Sequence, residues 1–203
     1  MTKQFIIILA VILSSMIFIY LPLLATSNSP TDQNTQETIN NDKILIAFFS
    51  WDGHTKKIAE TIDEKIEADL FEIKVVNPYS NDYSTTVETA QKELAEQARP
   101  ELATHIATIT EYKTIILGYP NWWGSIPMPV ASFLEEYDFT GKTIIPFCSH
   151  EGGGFGQSLN AIAKLVPNAI IGEGLSIRST GGFNLSNDIS KWLNDNHLIL
   201  IAN

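Results

Sequence analysis

Cysteine is nearly missing from this chain: Cys148 stands alone among 203 residues. A single thiol excludes an internal disulfide and any zinc cluster built on cysteines. Cations are also scarce, with 13 Lys and Arg against 23 Asp and Glu. The formal charge of −10 gives no nucleic-acid footprint, because a phosphate backbone selects for basic stripes or patches. Internal repeats and low-complexity tracts are absent. So are the G-x-G-x-x-G dinucleotide fingerprint, which "GGGFGQS" does not satisfy, the Walker phosphate motif and the G-x-S-x-G elbow. A Ser-His-Asp hydrolase could be assembled from Ser149, His150 and an aspartate, but no spacing recommends it.

What is present divides into three parts. Residues 1–25 contain FIIILAVILSSMIFIYLPLLA (Phe5 to Ala25), a run without charge and with Lys3 in front of it. Crossing a bilayer takes about 20 apolar residues, so this run is long enough. It reads either as a transmembrane anchor or as a signal peptide cleaved near Ala25-Thr26-Ser27. In both cases it contacts membrane. Lys3 on one side and the acidic bulk on the other place the remaining chain outside the cytoplasm, anchored or secreted. Residues 26–42 are polar, bury little and read as a linker. The folded domain is expected over 43–203.

Within that domain the hydrophobic pattern alternates strand and helix. KILIAFFS (43–50), TIILGY (114–119) and TIIPFC (143–148) are continuously apolar, as strands covered on both faces are. LFEIKVV (70–76) alternates instead and reads as an edge strand, while AIIGEGLSI (169–177) reads as the last strand. Helical spacing links Ile58, Ile62 and Ile66; Val130, Phe133, Leu134 and Tyr137; Leu159, Ile162, Ala163 and Val166; and Ile189, Trp192 and Leu193. A longer helix over much of 85–104 would turn Val87, Ala90, Leu94 and Ala98 inward, with Pro100 breaking or kinking it. Alternating strands and helices predict an α/β fold with three layers, α/β/α. The doubly wound, five-stranded parallel sheet has the expected order 2-1-3-4-5, and ligands then bind at the carboxyl ends of strands one, three and four.

Three loops leave those ends: SWDGHT (Ser50 to Thr55), PNWWGSIP (120–127) and SHEGGGFG (149–156). Each carries glycine, and the second carries adjacent tryptophans. The first opens a helix, whose N-terminal amides and dipole attract an anion. A phosphate socket, an aromatic wall and a glycine-rich rim together suit a flat ring with a phosphate tail. A capped helix start without ligand is the simpler reading of the first loop taken by itself.

Ser50-Trp51-Asp52-Gly53-His54-Thr55, Gly118-Tyr119-Pro120-Asn121-Trp122-Trp123-Gly124 and Cys148-Ser149-His150-Glu151-Gly152-Gly153-Gly154 occur in this order. They resemble the S-x-[ST]-G-N-T, G-Y-P-x-W-W-G and C-[ST]-H-x-G-x-G loops of the flavodoxin family, and the similarity runs from Lys43 to Trp192. It implies FMN as cofactor, with phosphate held by Ser50, Trp51, Asp52, Gly53, His54 and Thr55. The flavin ring would lie between Pro120, Asn121, Trp122, Trp123 and Gly124 on one side and Ser149, His150, Glu151, Gly152, Gly153 and Gly154 on the other. The same resemblance implies that the carbonyl of the Trp123–Gly124 peptide turns toward the ring's N5, so Trp123, Gly124 and the catalytic candidate His150 are the residues nearest the chemistry. Two positions depart from the family. Asp52 replaces Ser or Thr and sets a carboxylate against phosphate, and His54 replaces Asn. Phe155 offers either a second aromatic face or core packing, and Cys148 reads as core.

Three functions are compatible with this reading. One is an electron carrier whose acidic face meets basic redox partner proteins. Another is an NAD(P)H oxidoreductase that reduces a quinone or similar small acceptor. The third is a binding module without redox chemistry.

Overall fold

The computed structural model describes residues 43–199. The expected anchor or signal segment and the linker lie outside them. Among the described residues no helix is long and apolar enough to cross a membrane.

Eleven named elements build the domain: β1 (Lys43–Phe48), α1 (His54–Asp63), β2 (Asp69–Glu72), α2 (Tyr83–Glu96), β3 (Tyr112–Pro120), α3 (Met128–Glu136), β4 (Thr143–His150), α4 (Ser158–Leu165), β5 (Ile170–Ile171), β6 (Leu175–Arg178) and α5 (Leu185–Asp195). All strands pair in parallel, in the order β2-β1-β3-β4-β5, and β6 also pairs with β4. This is the expected three-layer α/β/α fold with the chain reversing between β1 and β3. The pleat explains the unbroken apolar runs. Leu45 and Ala47 face α3 and α4, whereas Ile46 and Phe48 face α1 and α5. Both faces of the central strands are therefore buried.

Four local expectations are corrected. Strand two stops at Glu72: the Ile73 amide makes a last bond to the Phe48 carbonyl, and the chain then turns away from β1. Val75 bridges Leu102 antiparallel, and the Thr104 hydroxyl donates to the Glu72 carbonyl, so a returning segment covers what would be an open edge. The second helix ends at Glu96 rather than near 104; Ile66 follows the end of α1, though it packs against the cluster of Ile58 and Ile62, and Ala163 is exposed and leaves its stripe. Gln97 takes the left-handed conformation (φ 51°) and closes α2 without a glycine. Arg99 fixes that end, donating to the Gln97 and Ala98 carbonyls at 2.9 Å and to both carboxylate oxygens of Glu135 on α3.

The last strand is two short pieces. Ile144 pairs with Ile171 and Phe147 with Leu175, so β4 advances three residues where its partner advances four, which is a bulge. α5 holds that bulge in place: the Trp192 indole donates to the Glu173 carbonyl at 2.6 Å, and the Asn196 side chain accepts from the Glu173 amide at 3.0 Å.

Cys148 faces the core between β4 and α4 and is fully buried. Burial pushes its thiol up to about 12, so the nucleophilic thiolate is scarce at any physiological pH. Native protein should leave this thiol unmodified by iodoacetamide at mildly alkaline pH and react promptly once unfolded in urea. Comparable rates in both states would contradict the packing.

Candidate functional site

β1, β3 and β4 end side by side, and their three loops are tied directly to one another. Loop one (50–55) meets loop three (149–156) through the Thr55 and Ser149 hydroxyls, 2.7 Å apart and both buried. Loop two (120–127) meets loop three twice. The Asn121 amide donates to the Ser149 carbonyl at 2.8 Å, and its side-chain amide donates to the Gly154 carbonyl at 2.6 Å. A fourth bond, Gln157 amide to Gly124 carbonyl at 2.6 Å, binds the tip of loop two to the start of α4. The crevice is therefore one cross-linked unit rather than three independent turns.

Loop one begins α1 with Gly53 in the left-handed region (φ 89°), a conformation that glycine adopts without the steric cost of a Cβ. The Ser50 hydroxyl accepts from the Lys56 amide at 3.2 Å. Asp52 turns back on the helix, accepting from the His54 amide at 3.0 Å with one oxygen and lying 3.2 Å from His54 Nδ1 with the other. Its carboxylate thus occupies part of the anion-attracting turn. The Trp51 indole donates to the Ser80 carbonyl and its ring lies 6.2 Å from that of Tyr83 on α2, which sets it beside the tryptophans of loop two. Thr55 serves as the bridge to loop three.

Loop two divides its tryptophans. Trp122 is packed edge-on against Phe49 (5.4 Å) and Tyr79 (5.1 Å), which makes it structural. Trp123 is half-exposed, at 51%, and is held only through its indole N–H, which donates to the Val87 carbonyl at 3.0 Å. Trp122 and Ser125 exchange backbone bonds across Trp123 (φ 52°) and Gly124 (φ 72°), a two-residue turn of the mirror-image type I′ kind. Gly124 suits that turn. Trp123 does not, and a left-handed tryptophan costs about 1–2 kcal/mol that the surrounding bonds must offset. Tyr119, at the end of β3 with Pro120, is fully buried and bonds Ser158 on α4, so burial holds its phenol well above the usual range.

Loop three is an exposed arch. His150 Nδ1 accepts from the Gly152 amide at 2.9 Å, and Glu151, Gly152 and Gly153 are exposed. Phe155 does not face the crevice: it packs against Gly174, where an added Cβ would lie 2.6 Å from its ring. A contact that sequence reasoning missed is Gly156, at φ 54°, whose backbone passes against the Gly124 carbonyl. A cavity of about 280 Å³ opens beside loop two, walled by Trp51, Tyr83, Asn121, Trp122 and Trp123. No cluster of His, Cys, Asp or Glu among the described residues could hold a metal ion.

The sheet is doubly wound, and its crevice lies at the topological switch point, where open α/β folds place their ligands. The flavodoxin family profile matches residues 43–196, and the chain belongs to that family. Among solved structures, a provisionally assigned flavoprotein from Bacteroides eggerthii is 28% identical over 75% of this chain and 96% of its own, with a TM-score of 0.67. A second such protein, from Bacteroides uniformis, is 26% identical over 75% of this chain and 97% of its own, also at 0.67. A Lactobacillus acidophilus flavoprotein in complex with FMN shares the fold at 24% identity and a TM-score of 0.60, covering 74% of this chain and 98% of its own. The curated proteins contain no match.

The crevice fits a phosphorylated ring on its own terms. A glycine at positive φ opens a ten-residue helix, hydroxyl groups flank its first turn, and a half-exposed indole stands on a neighbouring loop. Asp52 is the one discordant group. Asp52→Asn keeps the acceptor for the His54 amide and removes the charge, so affinity for FMN should rise about tenfold, allowing for screening at this exposed position. Fluorescence titration at low and high salt measures it; an affinity unchanged at low salt would show that the carboxylate faces away from the phosphate.

Proposed function

We propose that this protein binds FMN in the three-loop crevice and carries electrons to or from partner proteins. The observation that supports it most is the mutual hydrogen bonding of the three loops, which holds a phosphate socket, an aromatic wall and an amide-rich arch in one place. FMN supplies one- and two-electron exchange at its ring. This chain's residues would bind and orient it: Ser50, Gly53 and the opening amides of α1 would hold the phosphate, with Trp123 and the amides of Glu151 to Gly154 available to the ring. Asn121 positions the arch by holding Gly154. Gly124, in its left-handed turn, would leave the preceding peptide free to meet the ring.

Acidic groups stand at the rim, with Asp52 and Glu151 exposed beside the crevice. Partners with basic faces would be steered to it, and their encounter rate should fall with salt. With the uncharged run at residues 5–25, we further propose that the domain works outside the cytoplasm, on or near a membrane.

A second reading has one specific observation behind it. Phe155 is packed down on Gly174, so loop three supplies no aromatic cover for the outer ring face. An NAD(P)H oxidoreductase passing hydride to a quinone or similar acceptor would use such an open face. Anaerobic mixing of the FMN-loaded protein with NADPH separates the two. A carrier stays oxidised until a protein donor is added, whereas rapid stoichiometric bleaching by NADPH alone identifies the reductase.

A further inference from the structure

A cavity of about 590 Å³ is walled by the end of α2, the last part of loop two, the start of α3 and α4. None of the residues assigned to the crevice lines it. Its floor is apolar: Ile126, Met128 and Ala131 are buried, and Leu94 and Leu165 pack against the same core. Its rim is polar, with Gln97, Ser125, Gln157 and Asn160, and holds two cations, Arg99 and Lys164. Among the described residues no carboxylate lines it, although the chain carries a formal charge of −10. Arg99 is fixed by its bonds to Glu135 and to the Gln97 and Ala98 carbonyls, so Glu135 balances its charge. Lys164, exposed in the last turn of α4, supplies the remaining positive charge.

That lining selects by chemistry. A cation is repelled at the rim, and a wholly polar anion gains nothing from the floor. A carboxylate on an apolar body suits both, because its tail leaves water while its charge stays at the wet edge beside Lys164. The volume also falls within the ordinary range of small-molecule sites, about 300–1,000 Å³. We propose that this cavity binds a medium-chain carboxylate and that its occupancy tightens the crevice for FMN. The second half of the proposal rests on the FMN reading above.

Two residues of the wall connect the cavity to the crevice. Ser125 exchanges backbone bonds with Trp122 and so closes the turn that carries Trp123 and Gly124. The Gln157 amide donates to the Gly124 carbonyl at 2.6 Å, which fixes the tip of that turn to α4. A ligand packed on Ser125, Ile126 and Gln157 therefore orders the same segment that FMN needs in place. Whichever ligand binds first meets part of the ordering cost of the other, so the two favour each other and the coupling is reciprocal.

The probe is octanoate, titrated into the full chain, with octyltrimethylammonium as a control of equal tail and opposite charge. Met128 is one of three methionines, so its methyl NMR signal, assigned by its loss in Met128→Leu, reports from the cavity floor. That signal should shift saturably with octanoate and not with the cation. Lys164→Glu should weaken octanoate about tenfold, by reversing a charge at a partly screened rim, and Lys164→Arg should not. Ala163 is exposed and lines the cavity, so Ala163→Trp should fill the mouth and abolish the shift. Saturating octanoate should raise FMN affinity about fivefold in the natural protein, at the low end of known couplings, and leave it unchanged in Ala163→Trp. An unsaturable shift, an equal response to the cation, or octanoate binding indifferent to both Lys164→Glu and Ala163→Trp would overturn the site. Octanoate binding with unaltered FMN affinity would overturn the coupling. A protein that takes octanoate and no FMN would sink the FMN reading and the coupling while leaving the cavity's ligand established.

Discussion

Replacing Gly118 with alanine should destabilise the fold by about 3 kcal/mol, the upper part of the range for overpacked cores. Gly118 lies in the middle strand β3, directly opposite Phe147 on β4. The Phe147 ring lies over it so closely that a Cβ at position 118 would stand 2.1 Å from Cζ and 2.5 Å from Cε1. The ring has nowhere to go. Phe147 is fully buried and meets Trp192 of α5 edge-on at 6.5 Å. The clashing atoms are those that leucine lacks, so Phe147→Leu should restore part of what Gly118→Ala loses. Urea denaturation of the two single variants and the double variant measures the coupling. Additive losses would mean that the ring does not cover Gly118.

Gly156→Ala should do the greatest damage to the crevice itself. Its Cβ would lie 2.4 Å from the Gly124 carbonyl oxygen and 2.9 Å from the carbonyl carbon, both backbone atoms that no rotamer change can remove. Its φ of 54° adds the left-handed penalty. Loop two must then retreat from α4, losing the bond from the Gln157 amide and moving Trp123 with it. A displacement of about 1 Å at a binding constellation can cost on the order of a hundredfold, and we expect FMN affinity to fall by about that factor. Gly124→Ala is the matched control. Nothing lies within 4 Å of its added Cβ, so only the strain of φ 72° remains, about 1 kcal/mol. Similar affinities for the two variants would show that loop two is not held by its contact with Gly156.

The fold was readable because a parallel sheet buried on both sides writes itself as unbroken apolar runs. KILIAF, TIIL and TIIPFC are short, rich in β-branched and aromatic residues and bounded by turns, which favours strands over buried helix, and their order along the chain leaves the alternating 70–76 segment at an edge. The same alternation could not say how long that edge strand is. Residues 73–76 satisfy it equally well when they pair with 101–104, and the choice depends on a segment thirty residues away. The split of the last strand was hidden for a similar reason. It is fixed by Trp192 and Asn196 reaching across from α5, not by anything local to 170–178. Gln97 ended a helix in a conformation usually given to glycine, so no punctuation marked it.

The crevice divides in the same way. That three loops converge followed from strand order alone. Which side chain does what did not. Thr55 reads as a phosphate ligand, yet its hydroxyl is the buried bridge to Ser149. Two adjacent tryptophans look equivalent in the sequence, and only Phe49 and Tyr79 decide that Trp122 is the packed one. Gly156 was one glycine among several, and its close approach to Gly124 is a fact of three dimensions.

The most direct test is to add FMN to the purified protein and follow its visible absorption and fluorescence. The account predicts saturable binding of one FMN per chain, with fluorescence quenched by the Trp123 wall and with much weaker binding of riboflavin. Unchanged flavin spectra at saturating FMN, from a protein that is folded by circular dichroism, would contradict it.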